Sequence, residues 1–244
     1  MFKLPHLLVL AFTFVSVPLF ARWLKKQPDQ RIHRFFQACG VLVLAFDPSY
    51  WLWEVNRNGV VDVSQTLPLY ICSLFWMMLP FAVYLKPSIF KRIALANVCT
   101  VGIAGGLMGL VFNTYVGLYP FFSFIPIRSL IYHVFMLLVA VSMWVTGYYK
   151  PKAGDEYLCM IPVVIMLIPA IILNKLFGWD YFYTAGGPGT PFELVSSIIP
   201  IPVFLMILYG LLAFIIRETF YRKTKVKLKD VAIKIKTTAE HIKH

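Results

Sequence analysis

Seven long apolar stretches run through this sequence, and they limit what the chain can fold into. A helix that crosses a lipid bilayer needs about 20 mostly apolar residues. Stretches of roughly this length lie near residues 4–22, 35–54, 66–85, 93–113, 126–148, 157–176 and 196–216. The composition agrees, because 59% of the residues are hydrophobic and only 14% are charged, as in polytopic membrane proteins. We therefore predict an all-α fold with seven transmembrane helices.

The basic residues are distributed unevenly between alternate loops. Nineteen of the 23 Lys and Arg residues fall in the loops at 22–34, 86–92 and 150–152 and in the segment from residue 217 onward. Loops rich in Lys and Arg stay in the cytoplasm. We therefore predict a multi-pass protein of the cell membrane with its N-terminus outside and its C-terminus in the cytoplasm. The net charge of +12 is then mostly a topology signal, and without a nucleic-acid motif it predicts no nucleic-acid partner.

The spans leave room for one transmembrane domain over residues 1–216 and a basic cytoplasmic tail over residues 217–244. In the tail, Leu228, Val231, Ile235 and Ile242 recur near helical spacing with lysines between them. This pattern is typical of an amphipathic helix on the anionic inner leaflet. A solvated cationic end that only enforces the topology explains the same residues, so both interpretations stay open.

One of the four cysteines has surroundings that suggest chemistry. Cys39, Cys99 and Cys159 fall in the inner parts of their spans, where a free cysteine usually acts as a small hydrophobic residue. Cys72 lies toward the outside, one turn after Pro68 at the start of the third span. Proline is tolerated in a first helical turn, and a helix N-terminus stabilises a thiolate. Cys72 is therefore the candidate nucleophile.

His133 in the fifth span is the candidate base. A lone histidine in an apolar helix is more often a hydrogen-bonded structural residue, but in lipid a polar group needs a partner or a function. With the predicted orientation, the third and fifth spans both run inward and carry Cys72 and His133 one to two turns below their outer ends. A thiol beside an imidazole is a common way to generate a nucleophile.

A third polar group could orient the imidazole, and four residues qualify. Asn174 ends the sixth span, although it could simply cap that helix. Asp47 lies deep in the second span before Pro48, which should kink the helix and free a carbonyl. An acidic residue at this depth should be protonated, paired or functional. Glu54 and Asp180 are the other two candidates, and for Glu54 an ordinary interfacial position is the stronger interpretation.

The sequence gives no indication of metal or cofactor chemistry. It contains no HExxH or CxxC motif and no cluster of metal-ligand residues. The glycines of the fourth span have the spacing of close helix packing, not that of a phosphate-binding loop. We expect no metal and no cofactor.

Four segments, in order, resemble the YwaF-like integral membrane proteins, which are related to a eukaryotic ether-lipid acyltransferase. They are Pro5-His6-Leu7, the run from Leu67 to Cys72, the segment from Tyr119 to His133, and the run from Leu173 to Tyr183. The resemblance covers most of the chain between His6 and Tyr209. It implies a membrane lipid acyltransferase in which Cys72 is the nucleophile and His133 the base.

The chain departs from the family pattern at several positions. It has Tyr70 where a histidine is common, and Trp179-Asp180 where Thr-Asn is common. It also carries Ile-Pro-Ile-Pro at 199–202 where Gly-Pro-Trp-Pro is typical. These departures lie close to the candidate site, so the resemblance does not predict the acyl chain or the acceptor.

The function predicted from these residues is lipid acyl transfer through a Cys72 thioester, with membrane phospholipid as the acyl donor. His133 would remove the thiol proton, and Asn174 or Asp47 would orient it. The residues expected to contact the substrate are His6, Glu54, Tyr70, Trp179 and Asp180. The alternative is a receptor, transporter or accessory subunit without catalytic activity, in which the same outward-facing polar groups bind a ligand or partner.

Single-cysteine variants test the predicted orientation. Because the basic loops should face the cytoplasm, a cysteine placed in the 55–65 or 177–195 loop should react with a membrane-impermeant maleimide in intact cells. Lys229→Cys should react only after the cells are permeabilised. Labelling of Lys229→Cys from outside would contradict the predicted orientation.

Overall fold

The computed structural model describes residues 3–187, 190 and 192–219, with Gln65 described by its backbone alone. Within these residues, α-helices and short 3-10 turns are the only regular secondary structure. The predicted all-α class is confirmed. The predicted basic tail falls almost entirely on residues 220–244 and lies outside the described residues.

The helices are numbered here in chain order. They are α1 (Leu4–Lys25), α2 (Asp29–Leu42), α3 (Phe46–Asn58), α4 (Val63–Thr66), α5 (Ile71–Tyr84), α6 (Ile89–Val111), α7 (Tyr115–Leu118), α8 (Phe124–Thr146), α9 (Asp155–Leu158), α10 (Ile161–Phe177), α11 (Phe192–Ser196) and α12 (Ile201–Thr219). Two 3-10 turns are present at Val43–Ala45 and Tyr181–Tyr183.

Six helical segments of the described chain are long and apolar enough to cross a membrane. They are Leu4–Lys25, Asp29–Asn58, Ile89–Leu118, Phe124–Thr146, Asp155–Phe177 and Ile201–Thr219. Each lies within several residues of a predicted span. The predicted third span, near 66–85, contains the shorter apolar helix α5, which has 14 residues. At 1.5 Å per residue it is about 21 Å long, which is shorter than a bilayer core of about 30 Å.

The second segment is interrupted where the sequence predicted a kink. The 3-10 turn at Val43–Ala45 separates α2 from α3, just before Pro48. Proline has no backbone N–H, so a regular helix cannot continue its hydrogen-bond pattern there. The N–H that is missing at Pro48 would have paired with the carbonyl of residue 44. Beside this break, the carbonyl of Phe46 accepts hydrogen bonds from Arg128 Nε and Nη2, at 3.0 and 2.8 Å. An arginine of α8 therefore contacts the chain where the helix is interrupted.

Glycines let α6 pack closely between α5 and α8. A methyl group at Gly102 would lie 2.6 Å from Cβ of Ala140 on α8 and 3.0 Å from the ring of Phe75 on α5. At Gly106 it would lie 3.1 Å from the backbone oxygen of His133. Small residues at such spacing allow helix backbones to approach each other in a membrane. The three helices α5, α6 and α8 therefore form the centre of the fold.

Polar contacts tie the loops together at each end of the bundle. At one end, the buried carboxylate of Asp155 accepts hydrogen bonds from Arg92 Nε at 2.6 Å and from the Tyr149 hydroxyl at 2.8 Å. At the other end, the Tyr181 hydroxyl donates to the Val63 carbonyl and accepts from the Leu67 amide. The loops that were predicted to face outside therefore meet at one end.

Gly102→Ala tests the close packing of α6. The added methyl group has no space, so the substitution should destabilise the protein by about 1–3 kcal/mol. Gly210→Ala on α12 is the matched control, because nothing lies within 4 Å of the added group. Alanine also favours a helix over glycine by up to about 1 kcal/mol. Thermal unfolding of the detergent-solubilised proteins measures the stability of both variants. Equal changes in unfolding temperature for Gly102→Ala and Gly210→Ala would contradict the packing argument.

Candidate functional site

Cys72 is the second residue of α5, and its position is fixed by α8. The hydroxyl of Tyr132 on α8 donates a hydrogen bond to the Cys72 carbonyl at 2.8 Å. A methyl group at Gly105 on α6 would lie 3.7 Å from the Cys72 sulfur. The thiol therefore faces α6 from the first turn of its helix.

His133 on α8 is held in one orientation by its own helix. Its Nδ1 lies 2.7 Å from the carbonyl oxygen of Ser129. A carbonyl can only accept, so Nδ1 carries the proton and Nε2 of the neutral ring keeps its lone pair. Among the described residues, no hydrogen-bond donor contacts Nε2. The imidazole is therefore prepared to accept a proton through Nε2.

The His133 imidazole packs against Gly109 of α6, one helical turn from Gly105, which faces the Cys72 thiol. At Gly109, a methyl group would lie 2.1 Å from His133 Nε2. Gly105, which faces the Cys72 sulfur, precedes Gly109 by four residues. Side chains with this spacing are neighbours on one helix face, about 5–6 Å apart. The thiol and the imidazole therefore lie on adjacent turns of the same face of α6.

A buried amide lies behind the imidazole. Asn113, just after α6, donates from Nδ2 to the Ser129 hydroxyl at 2.9 Å, and that hydroxyl is 3.4 Å from His133 Nδ1. The side chain of Asn113 is buried, and its Oδ1 has no hydrogen-bond partner within the described chain. Asn113 and Ser129 thus form a polar support on the far side of the ring from Nε2.

Cys72 and His133 both line an apolar cavity of about 260 Å³. Its walls come from helices α5, α6, α7, α8, α11 and α12 and from Tyr183. The main apolar side chains are Ile71, Met108, Phe112, Phe192, Phe204 and Leu205. A cavity with these walls can hold a hydrocarbon chain.

The same two residues also line a second cavity of about 380 Å³, which we call the polar cavity because its walls carry more polar and charged side chains than those of the first. Its polar side chains come from five helices, α3, α4, α5, α7 and α8, and from the segment after α10. They include Asp47, Thr66, Ser73, Arg128, Asp180 and Thr190. Cys72 and His133 therefore lie where an apolar cavity and a polar one adjoin.

Asp47 is paired with a cation in the polar cavity. Its Oδ1 lies 3.0 Å from Nη2 of Arg128, and the two side chains are largely buried. Arg128 also stacks over the ring of Tyr50, with 5.1 Å from its central carbon to the ring centroid. An acidic residue in an apolar helix needs such a partner. Asp47 therefore contacts Arg128, and it makes no hydrogen bond to His133.

Asn174 organises the segment after α10. Its Nδ2 donates to the Tyr181 carbonyl at 2.7 Å and to the Thr184 hydroxyl at 2.6 Å. Its Oδ1 accepts from the Tyr181 amide at 2.9 Å. These bonds use the polar atoms of the side chain within its own segment, so Asn174 does not contact His133. Asn174 therefore stabilises the conformation of residues 178–184.

Asp180 belongs to the same segment and contributes to the wall of the polar cavity. Its two oxygens accept hydrogen bonds from the amides of Ala185 at 2.6 Å and Gly187 at 2.9 Å. Burial raises the pKa of the Asp180 carboxyl, and the two amides act in the opposite direction. Asp180 therefore shapes the loop beside the cavity.

Strained backbone brings a tyrosine into the site. Phe182 and Tyr183 have φ values of 57° and 55°, which side-chain-bearing residues rarely adopt. The Phe182 side chain is fully buried, while Tyr183 lines both cavities and stacks on Phe192, with 4.6 Å between ring centroids. The hydrogen bonds of Asn174 and Asp180 hold this conformation in place.

The other predicted substrate contacts differ in position. Tyr70 lines the polar cavity and meets the ring of Tyr181 edge-on, with 5.0 Å between centroids. His6 is fully buried, with its Nε2 2.7 Å from the Leu110 carbonyl. Glu54 accepts a hydrogen bond from the Asp62 amide at 3.0 Å, and Trp179 stacks on Phe177. His6, Glu54 and Trp179 are absent from the walls of the two cavities.

Several residues of the site were missed in the sequence analysis. Arg128 was counted only as a charge in the topology argument. A cation near the start of an apolar span, at about the depth of Asp47, could have suggested an ion pair between the two side chains. Asn113 and Ser129 are polar residues in or next to apolar helices, which was a weaker signal. Tyr183 was noted only as the end of the family-like run from Leu173, because its place in the cavity walls depends on the strained turn.

Asn174→Ala should loosen the segment that carries Tyr183. The substitution leaves the buried Tyr181 amide and carbonyl without their partners, at a cost of about 1–3 kcal/mol. Limited proteolysis of residues 178–187 and thermal unfolding measure the effect. Asn58→Ala is the control, because the exposed Asn58 amide makes only a 3.5 Å contact with Glu54 and its loss should change stability by less than about 0.5 kcal/mol. Unchanged proteolysis of Asn174→Ala would contradict the bracing role.

Comparisons with known proteins identify a family. A search of curated proteins and a search of solved structures gave no match. The relation to the YwaF-like proteins and to the ether-lipid acyltransferase stays a prediction. A family model for a group of transmembrane proteins, the TMEM164 family, matches residues 1–217. Because this match covers most of the chain, the protein belongs to the TMEM164 family.

Proposed function

We propose that the protein is an integral membrane lipid acyltransferase that works through a thioester on Cys72. The observation that carries the proposal is the position of Cys72 and His133 on the shared wall of an apolar and a polar cavity. A phospholipid has an ester bond between an acyl chain and a polar headgroup. A nucleophile located between two such cavities could therefore reach the ester carbonyl of a phospholipid whose acyl chain occupies one cavity and whose headgroup occupies the other. The resemblance to the YwaF-like proteins supports the same chemistry.

The reaction needs only groups that the chain supplies. His133 Nε2 takes the proton from the Cys72 thiol as the sulfur attacks the ester carbonyl. The ester C–O bond then breaks, and the departing oxygen receives the proton from His133, which releases a lysophospholipid. An acceptor hydroxyl gives its proton to His133 and attacks the thioester. The C–S bond breaks, and the proton returns to the Cys72 sulfur.

The two cavities correspond to the two parts of the donor. The apolar cavity takes the acyl chain. In the polar cavity, the guanidinium of Arg128 provides a positive charge suited to a lipid phosphate. Asp47 positions that guanidinium, and Tyr70 and Asp180 form part of the surrounding wall. His6, Glu54, Trp179 and Asn174 act indirectly, since they stabilise the elements around the site.

The membrane arrangement that we propose makes α5 the seventh crossing, with the N-terminus outside and the tail in the cytoplasm. The distribution of Lys and Arg supports this orientation. The site then lies toward the outer face of the cell membrane, out of reach of cytoplasmic acyl-CoA. The acyl donor is therefore a phospholipid of the membrane, and the reaction needs no cofactor. The basic tail contacts anionic lipids of the inner leaflet.

A labelled phospholipid tests the thioester. Purified protein incubated with a phospholipid that carries a radiolabelled acyl chain should gain a label that neutral hydroxylamine removes. Cys72→Ser should lose the hydroxylamine-sensitive label, because serine is a weak nucleophile without stronger activation. Cys99→Ser is the matched control, because Cys99 is fully buried in α6 and absent from both cavity walls. It should be labelled like the wild type.

Two results would contradict the proposal. Labelling of Cys72→Ser at the wild-type level would place the acyl group on another residue. Absence of label on the wild type, together with saturable binding of the same phospholipid, would favour the alternative of a non-catalytic receptor, transporter or accessory subunit.

A further inference from the structure

Tyr209 on α12 has a buried hydroxyl that no hydrogen bond satisfies. Its side chain is 1% exposed, and within the described chain its oxygen has no partner. A buried polar group without a partner is unfavourable. Such groups are uncommon, and each needs an explanation, of which a missing ligand is one.

The position of Tyr209 indicates which ligand could satisfy it. Six buried side-chain polar atoms of the described residues lack a partner, and two of them belong to residues that line the apolar cavity, Tyr209 and Asn113. Cys72 and His133 line the same cavity. Tyr209 and the proposed nucleophile therefore line one cavity.

Several groups around Cys72 that could serve as donors are engaged elsewhere. The Tyr132 hydroxyl donates to the Cys72 carbonyl, and the Ser73 amide donates to the Tyr70 carbonyl at 2.9 Å. Nδ1 of His133 donates to Ser129. A reaction at an acyl carbonyl needs a donor for the oxygen that becomes negatively charged. Tyr209 has a donor that is still unused.

The surroundings of Tyr209 would strengthen such a hydrogen bond. Phe204 and Leu205 of the same helix line the cavity with it. In apolar surroundings, a donor interacts more strongly with a developing charge than it does in water. Since the hydroxyl has no partner within the described chain, no hydrogen bond of the protein has to break before it donates.

We propose that the Tyr209 hydroxyl donates a hydrogen bond to the acyl carbonyl oxygen when Cys72 attacks, and so acts as a catalytic residue. This inference rests on the proposed acyl transfer. As the C–S bond forms, the electron pair of the C=O bond moves to oxygen, and the Tyr209 O–H stabilises the negative charge. The O–H proton stays on Tyr209. When the C–O bond of the ester breaks, the carbonyl forms again, and the deacylation step uses Tyr209 in the same way.

Tyr209→Phe removes the hydroxyl and keeps the ring. The rate at which Cys72 gains a hydroxylamine-sensitive label from a phospholipid with a radiolabelled acyl chain should fall about 10²–10³-fold, as for the loss of one oxyanion donor. Tyr148→Phe is the matched control. The Tyr148 hydroxyl is also buried without a partner, but Tyr148 packs against Phe36 and is absent from both cavity walls. That variant should be labelled at the wild-type rate.

Thermal unfolding separates catalysis from structure. Neither hydroxyl has a partner to lose, so both phenylalanine variants should unfold at or above the wild-type temperature. If Tyr209→Phe is labelled at the wild-type rate, the inference is wrong although acyl transfer stands. If it unfolds at a lower temperature than Tyr148→Phe and loses activity in proportion, Tyr209 has a structural role and the inference also fails. If the wild type gains no label, both the proposed function and this inference fail.

Discussion

The close contact of α6 with α5 and α8 is the constraint on which the rest of the structure depends. Between helices in lipid, apolar burial provides little driving force, so association depends on packing and on hydrogen bonds. Gly102 removes the steric barrier at the centre of the contact, and Gly109 leaves the space that the His133 ring occupies. A side chain on this face of α6 would separate the helices and displace the imidazole. The same packing therefore stabilises the bundle and positions the Cys72 thiol and the His133 imidazole.

The site combines rigid and strained parts. Cys72 and His133 lie on helices, and their orientations are set by Tyr132 and by the Ser129 carbonyl. Tyr183, in contrast, reaches the cavities through a backbone conformation that is unfavourable in itself. This conformation persists because Asn174 uses both its amide nitrogen and its oxygen to hold the turn. Cys72 and His133 are thus fixed by helix packing, and the wall that covers them is held by a small set of polar bonds.

The sequence predicted the helices well because the bilayer imposes a simple length and composition on them. Six helical segments of the described chain match predicted spans, whereas α5 is shorter than expected because residues 67–70, between α4 and α5, are not helical. The sequence also placed Cys72 and His133 at one depth, and both line the same cavities. It could not show which polar groups meet. The carbonyl that orients His133 belongs to the backbone, and Asn174 turns toward its own loop, so side-chain patterns carried no information about either contact.

The short length of α5 affects the surrounding lipid. If α5 completes a seventh crossing, about 21 Å of helix faces a hydrocarbon layer of about 30 Å. Hydrophobic mismatch of this kind is relieved when the bilayer thins next to the protein. Thinning moves the ester groups of the neighbouring lipids toward the midplane, and Cys72 is the second residue of this helix. The deformation of the membrane around α5 would thus shorten the distance that a lipid ester has to travel to reach the thiol.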